Sequence, residues 1–199
     1  MRPVARFALA SLSLLLGCAR PPATSMQLPP RPIAVFPPNN RTGDDLLVAG
    51  ASFLEKYALK SDRVTVPDVL ASEARLQLAR RGYTVVPPET VDAAVGEHPP
   101  KNSDDAAAIA ARRQIDGNVL YIEVRRWEPD VPFKPTFVIV SVELALIDPS
   151  TGKVVWHIDH PSRPVPTNGV ISVGDAYTVA ARKLMEELLT SLGPEQAPQ

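Results

Sequence analysis

One thiol and three imidazoles make up most of the nucleophile and soft-ligand chemistry available to this 199-residue chain. The thiol is Cys18, directly after Leu15, Leu16 and Gly17. The imidazoles are His98, His157 and His160. In an extended segment His157 and Asp159 share a face, and an imidazole beside a carboxylate is half of a zinc-type site. A third or fourth ligand would have to come from His98 or a remote carboxylate, and a polar outer face on an edge strand explains the same residues. There is no Gly-x-Ser-x-Gly elbow, no glycine loop to cradle phosphate and no His-Glu-x-x-His helix. The expectation is therefore a protein that is not an enzyme and uses no metal and no cofactor. A hydrolase or metal-dependent activity on His157 and Asp159 is the enzymatic alternative.

Cys18 has a different kind of context. Arg2 and Arg6 form a charged n-region, residues 7–16 an apolar run, and small Gly17 precedes the cysteine. A spanning helix needs about 20 apolar residues, so this run reads as an export signal. Leu-Leu-Gly-Cys resembles the bacterial lipobox. That resemblance implies a diacylglycerol on the Cys18 thiol, cleavage before Cys18 and acylation, with chains such as palmitate, of the new amino group. Two or more acyl chains anchor stably, because each buried methylene adds about 0.8 kcal/mol. Ala19 stands where an aspartate would favour inner-membrane retention, which by lipoprotein sorting rules implies the outer membrane, periplasmic face.

Composition narrows the classes further. Removing residues 1–17 takes Arg2 and Arg6 and leaves 19 basic against 22 acidic residues, the wrong balance for nucleic acid. With Cys18 lipidated no thiol remains for a disulfide, so an apolar core must hold the fold. Hydrophobic residues are 45% of the chain, enough for one domain. Prolines 21, 22, 29, 30 and 32 crowd the stretch after Cys18. The organisation reads as signal peptide 1–17, lipidated Cys18 with a proline-rich tether to residue 31, a single periplasmic domain 32–193, and a flexible tail 194–199.

The elements follow from periodicity and punctuation. Residues 33–36 are an apolar strand leading into the turn chemistry of residues 37–43. Residues 44–59 fit a helix or a hairpin, with helix favoured. Thr65 caps a helix ended by Gly82, and residues 83–86 are a buried strand before Pro87. A short helix spans 89–95. Ser103 caps a helix over 104–115 that ends at Gly117. Residues 119–127 alternate as a half-buried strand, with Leu120, Ile122 and Val124 on one face and Tyr121, Glu123, Arg125 and Trp127 on the other. Residues 137–147 alternate with Val138, Val140, Val142, Leu144 and Leu146 inward. The turn at 148–152 makes an antiparallel hairpin with 153–159. A last amphipathic helix covers 175–192. The sum is an α/β sandwich: a mixed β-sheet, antiparallel in its second half, with amphipathic helices packed on it.

Four stretches carry a further likeness: residues 33–43 (IAVFPPNNRTG), 79–86 (ARRGYTVV), 116–122 (DGNVLYI) and 146–156 (LIDPSTGKVVW). In this order they resemble the CsgG-like superfamily of bacterial envelope lipoproteins. This group includes the curli-secretion lipoprotein, the Tol amino-terminal domain and activators of peptidoglycan synthases. The small outer-membrane lipoproteins of the group are most similar. The motifs describe backbone geometry, so they imply fold before function. The long membrane-inserting hairpins of the curli channel have no counterpart in 44–64 or 128–136.

Tyr121, Arg125, Trp127 and Phe133 combine aromatics and arginine next to a proline loop, a composition enriched at protein interfaces. Packing beneath a helix accounts for them equally. The leading reading is an outer-membrane-anchored periplasmic lipoprotein that acts by protein contact in envelope assembly or secretion. Regulation of a cell-wall synthase through the tether is the alternative. The partners implied are the bilayer through Cys18, an envelope protein, and further copies of the chain.

Overall fold

The computed structural model describes residues 31–48, 64–96 and 98–193. They form five strands, four α-helices and a short 3-10 helix. In chain order these are β1 Ile33–Val35, β2 Asn39–Asn40, α1 Val66–Arg80, α2 Pro88–Val95, α3 Ser103–Arg113, β3 Asn118–Pro129, β4 Phe137–Asp148, β5 Lys153–Pro166 and α4 Val173–Leu189. The 3-10 helix Thr190–Leu192 follows α4.

The sheet order is β1-β3-β4-β5. β1 and β2 lie end to end along one edge of β3, both parallel to it, Ile33 opposite Asn118 and Asn39 opposite Glu123. β3, β4 and β5 are antiparallel. The expected mixed sheet with an antiparallel second half is thus observed.

Each face of the sheet is apolar where helices cover it. On one face Leu120, Ile122, Val124, Val138, Val140, Val142, Leu144 and Leu146 are buried with Leu70, Leu78, Leu184 and Leu188 of α1 and α4. On the other, Ala34, Phe36, Val119, Tyr121, Ala145 and Ile147 are buried with Val91 of α2 and Ala106, Ile109 and Ala110 of α3. Each fully buried Leu, Ile or Val contributes about 1.5–3 kcal/mol of transfer free energy, which explains how a chain without a disulfide holds this shape.

Helix ends follow local chemistry. The Thr65 amide and hydroxyl both donate to Asp68 Oδ2, at 2.7 and 2.6 Å. α4 starts at Ser172, whose Oγ accepts from the Asp175 amide at 3.1 Å. α3 is capped one residue earlier than its sequence suggests: Asn102, not Ser103, accepts the Asp105 amide at 2.8 Å. An amide oxygen at Asn102 reaches that N–H with the cap in extended backbone, and Ser103 becomes the first helical residue.

Other expectations are corrected. Residues 83–86 are not a full buried strand; one parallel bridge joins Val85 to Ile33, and Thr84 is exposed. Only the Thr84 carbonyl and the Val86 amide bond to Ile33, and Pro87 and Pro88 stop further pairing. Residues 44–48 are not helical: Leu46 has φ +47 and Leu47 bridges antiparallel to Thr65. The remainder of the 44–59 expectation lies outside the described residues. β5 runs to Pro166, well past residue 159.

The face of Trp127 is also corrected. The register slips between Val124 and Arg126, so Arg125 is an extra residue opposite β4. The bulge reverses the alternation beyond it. Trp127 therefore joins Leu120, Ile122 and Val124 in the core beneath α1 and α4, 1% exposed, rather than the Tyr121 face.

Candidate functional site

Beyond the start of α3 the second face of the sheet becomes polar, and β3, β4 and β5 together build an ion network on it. Tyr121 donates to Glu123 Oε2 at 2.9 Å, and Arg125 Nε donates to Glu123 Oε1 at 2.9 Å. The same guanidinium reaches Asp159 Oδ1 on β5 at 3.0 Å and the Glu143 carboxylate on β4. His157 Nε2 lies 3.1 Å from Glu143 Oε1. Arg41 stands 3.6 Å from Glu123. Asn39 donates to the Lys101 carbonyl at 3.0 Å and to the Tyr121 hydroxyl at 3.3 Å, tying β2 to the loop before α3.

Glu123 is 6% exposed. Burial alone pushes its carboxyl up, yet the hydrogen bonds from Arg125 and Tyr121 and the charges of Arg125 and Arg41 outweigh it and hold Glu123 below the usual carboxylate range. Burial pushes the Tyr121 phenol up to about 12, so it stays a donor.

This network claims the residues read as half of a metal site. Asp159 is held by Arg125 and His157 by Glu143, while His160 points to the opposite face, 1% exposed, with its Nε2 accepting from Arg163 Nε at 2.6 Å. Among the described residues no group of three or more His, Cys, Asp or Glu is placed to hold a metal ion.

The four residues read as an interface do not form one surface. Tyr121 and Trp127 are 2% and 1% exposed and Arg125 belongs to the network, whereas Phe133 is 82% exposed. Phe133 sits between Pro132 and Pro135 in the β3–β4 loop. Thr136 closes that loop by donating from its amide and hydroxyl to Asp130, at 3.0 and 2.6 Å. The loop after β5 is tied to it through the Thr167 amide on the Thr136 carbonyl at 2.8 Å and the Thr167 hydroxyl on Pro135 O at 3.2 Å. That second loop carries Ile171, 74% exposed. Sequence reading missed Ile171, and it missed Glu123 and Glu143 as the network's hubs. The alternation of β3 and β4 places Glu123 and Glu143 on the outer face, but only the register shows that they lie opposite each other.

Cys18 precedes the described residues. No described helix is long and apolar enough to cross a membrane.

Fold and site together define a three-layer α/β domain with a polar, internally paired sheet face and, at one end, two hydrogen-bonded loops that expose Phe133 and Ile171. Neither a protein-family model nor a curated protein matches the chain. Solved structures do share the fold. The PelC dodecamer from Paraburkholderia phytofirmans matches with TM-score 0.50 at 18% identity, over 86% of this chain and 93% of that one. A variant of it gives 0.51 at 20% identity, over 86% and 95%. Lipoprotein GNA1162 from Neisseria meningitidis gives 0.49 at 22% identity, over 82% and 95%. At these identities what is shared is the fold.

Proposed function

We propose that the chain is a lipid-anchored, periplasm-facing envelope lipoprotein of the outer membrane that works by protein contact in envelope assembly or secretion, without catalysis. Membership of the CsgG-like superfamily, suggested by the four sequence stretches, is part of this reading. The observation that carries it is the sole cysteine standing at the end of a charged, then apolar, then Leu-Leu-Gly segment. One structural feature supports it: the exposed Phe133 and Ile171 lie on loops pinned by hydrogen bonds, so an apolar contact there would cost little ordering entropy. The PelC structure with the same fold is described as a dodecamer, and association with further copies of the chain belongs to the proposal.

The test is metabolic labelling with an alkyne fatty acid and membrane fractionation of the full-length protein beside Cys18→Ala. Acyl label and outer-membrane recovery that both vanish in Cys18→Ala are expected. Label-free protein, or an unchanged envelope function in Cys18→Ala cells, would overturn the reading. Site-specific photocrosslinking at Phe133 should then capture a defined partner, and a Phe133→Ser, Ile171→Ser variant should lose it while staying anchored.

A further inference from the structure

We propose that the end of the domain from which the tether leaves is a docking surface for anionic phospholipid headgroups, so that the anchored protein stands with this end on the bilayer. The inference rests on the anchored reading above and adds an orientation to it.

Three chain segments meet at this end. Arg31, where the described chain begins, lies 3.5 Å from Asp148 Oδ1 at the close of β4. The Asn118 amide donates to the Pro32 carbonyl at 2.8 Å, holding the tether exit against the start of β3. The last turn of α3 stands beside both, and the three enclose an open cleft of about 620 Å³ lined in part by Arg31, Gln114, Asp148 and Ser150. Lys153 lies across from Asp148 where β5 begins.

Charge is segregated to this surface. Arg31, Arg112, Arg113 and Lys153 are all exposed. Against them stand Asp116 and Asp148, and Asp148 is already engaged by Arg31 and by the Ser150 amide and hydroxyl. Val154, 47% exposed beside Lys153, offers an apolar group to the headgroup region. This excess of cations occurs in a chain whose mature part has more acidic than basic residues. At the far end of β3, roughly 40 Å away at about 3.3 Å per residue, Asp44, Asp45, Glu128 and the loop-closing Asp130 outnumber Arg126, Lys134 and Lys183.

An anionic membrane surface favours each nearby basic side chain by about fivefold in partitioning, and the effect dies within a Debye length of about 8 Å. The acyl anchor and short tether keep the domain near the bilayer, which raises the effective concentration of this surface at the headgroups. The end bearing Phe133 and Ile171 then faces away from the anchoring membrane.

The test uses the mature chain from position 18 with Cys18→Ser, so that no lipid is attached, and phosphatidylethanolamine vesicles with and without phosphatidylglycerol. Co-sedimentation that requires phosphatidylglycerol and is lost as sodium chloride rises is expected. The variant Arg31→Gln, Arg112→Gln, Arg113→Gln, Lys153→Gln should bind at least tenfold more weakly. Its far-ultraviolet circular dichroism should be unchanged, and Arg126→Gln, Lys134→Gln at the other end should leave binding intact. Equal binding to vesicles without phosphatidylglycerol, no binding, or an unaffected fourfold variant would overturn the proposal. Competition by inorganic phosphate at unchanged ionic strength would overturn it in favour of a discrete phosphate site. Because the chain tested carries no acyl group, failure here with positive fatty-acid labelling of Cys18 removes this inference alone.

Discussion

A β-carbon on Gly117 would stand 2.0 Å from the carbonyl oxygen of Pro32. Gly117 also has φ +96, a backbone region that other residues avoid. The close approach lets the next residue, Asn118, bond Pro32 and start the parallel pairing of β1 with β3. Gly117→Ala should cost about 2–4 kcal/mol through combined strain and displacement of β1. The urea midpoint checks this, and an unchanged midpoint would refute the role assigned to the contact.

Trp127 packs edge-on against Tyr177, with ring centroids 6.3 Å apart at 81°. Its Nε1 is buried without a hydrogen-bond partner among the described residues. Trp127→Ala should destabilise by about 3–5 kcal/mol. Trp127→Phe keeps the ring contact and removes the unpaired donor, so it should cost under about 1.5 kcal/mol. Equal losses in the two variants, measured by chemical denaturation, would contradict this account.

His160 gives the domain a pH dependence. Burial first, and then the Arg163 charge, push its pKa below the ordinary value, while Glu187, paired with Arg163, pulls the other way. Its Nε2 accepts from Arg163, so the proton of the neutral ring sits on Nδ1. The unfolded chain therefore takes up the proton first as pH falls. Stability from the neutral ring is complete above about pH 6.5 and declines below it, until the folded-state value is reached. His160→Gln should flatten the slope of unfolding free energy below about pH 6.5. An unaltered slope would assign the dependence to another group.

Arg125 binds three carboxylates: Glu123, Glu143 and Asp159. Its side chain is 40% exposed, so solvent screens part of each pair. The cost of Arg125→Leu is dominated by Glu123, which would keep a nearly buried charge with Tyr121 as its remaining close donor. We expect a loss of about 1–3 kcal/mol at neutral pH. The loss should shrink as pH drops through the carboxylate range, because the folded-state pKa of Glu123 rises once Arg125 is gone. Parallel denaturation curves across pH 4–7 for the two proteins would exclude the network as the cause.

Much of the architecture was legible in residue order. The apolar alternation of residues 137–147 and the fourfold spacing in the last helix each mark one buried face, because a strand repeats every two residues and a helix every 3.6. Pairing was less legible. Nothing in residues 83–86 distinguishes a buried strand from an edge bridge, since an edge is set by which neighbour is already paired. The candidate interface shows the same limit: Tyr121, Arg125, Trp127 and Phe133 are close in sequence, but one extra residue at Arg125 turns Trp127 into the core, and a proline-flanked loop carries Phe133 out to solvent.

The sequence by itself determined the mixed sheet and the amphipathic faces, because these depend on residue types at short spacing. Only the tertiary structure decided the bulge at Arg125, the ion network across β3, β4 and β5, the joining of the Phe133 and Ile171 loops, and the placing of Arg31 at the opposite end of the sheet. Each of these depends on register between segments distant in the chain. Register follows from the summed packing of both sheet faces, which no local pattern contains.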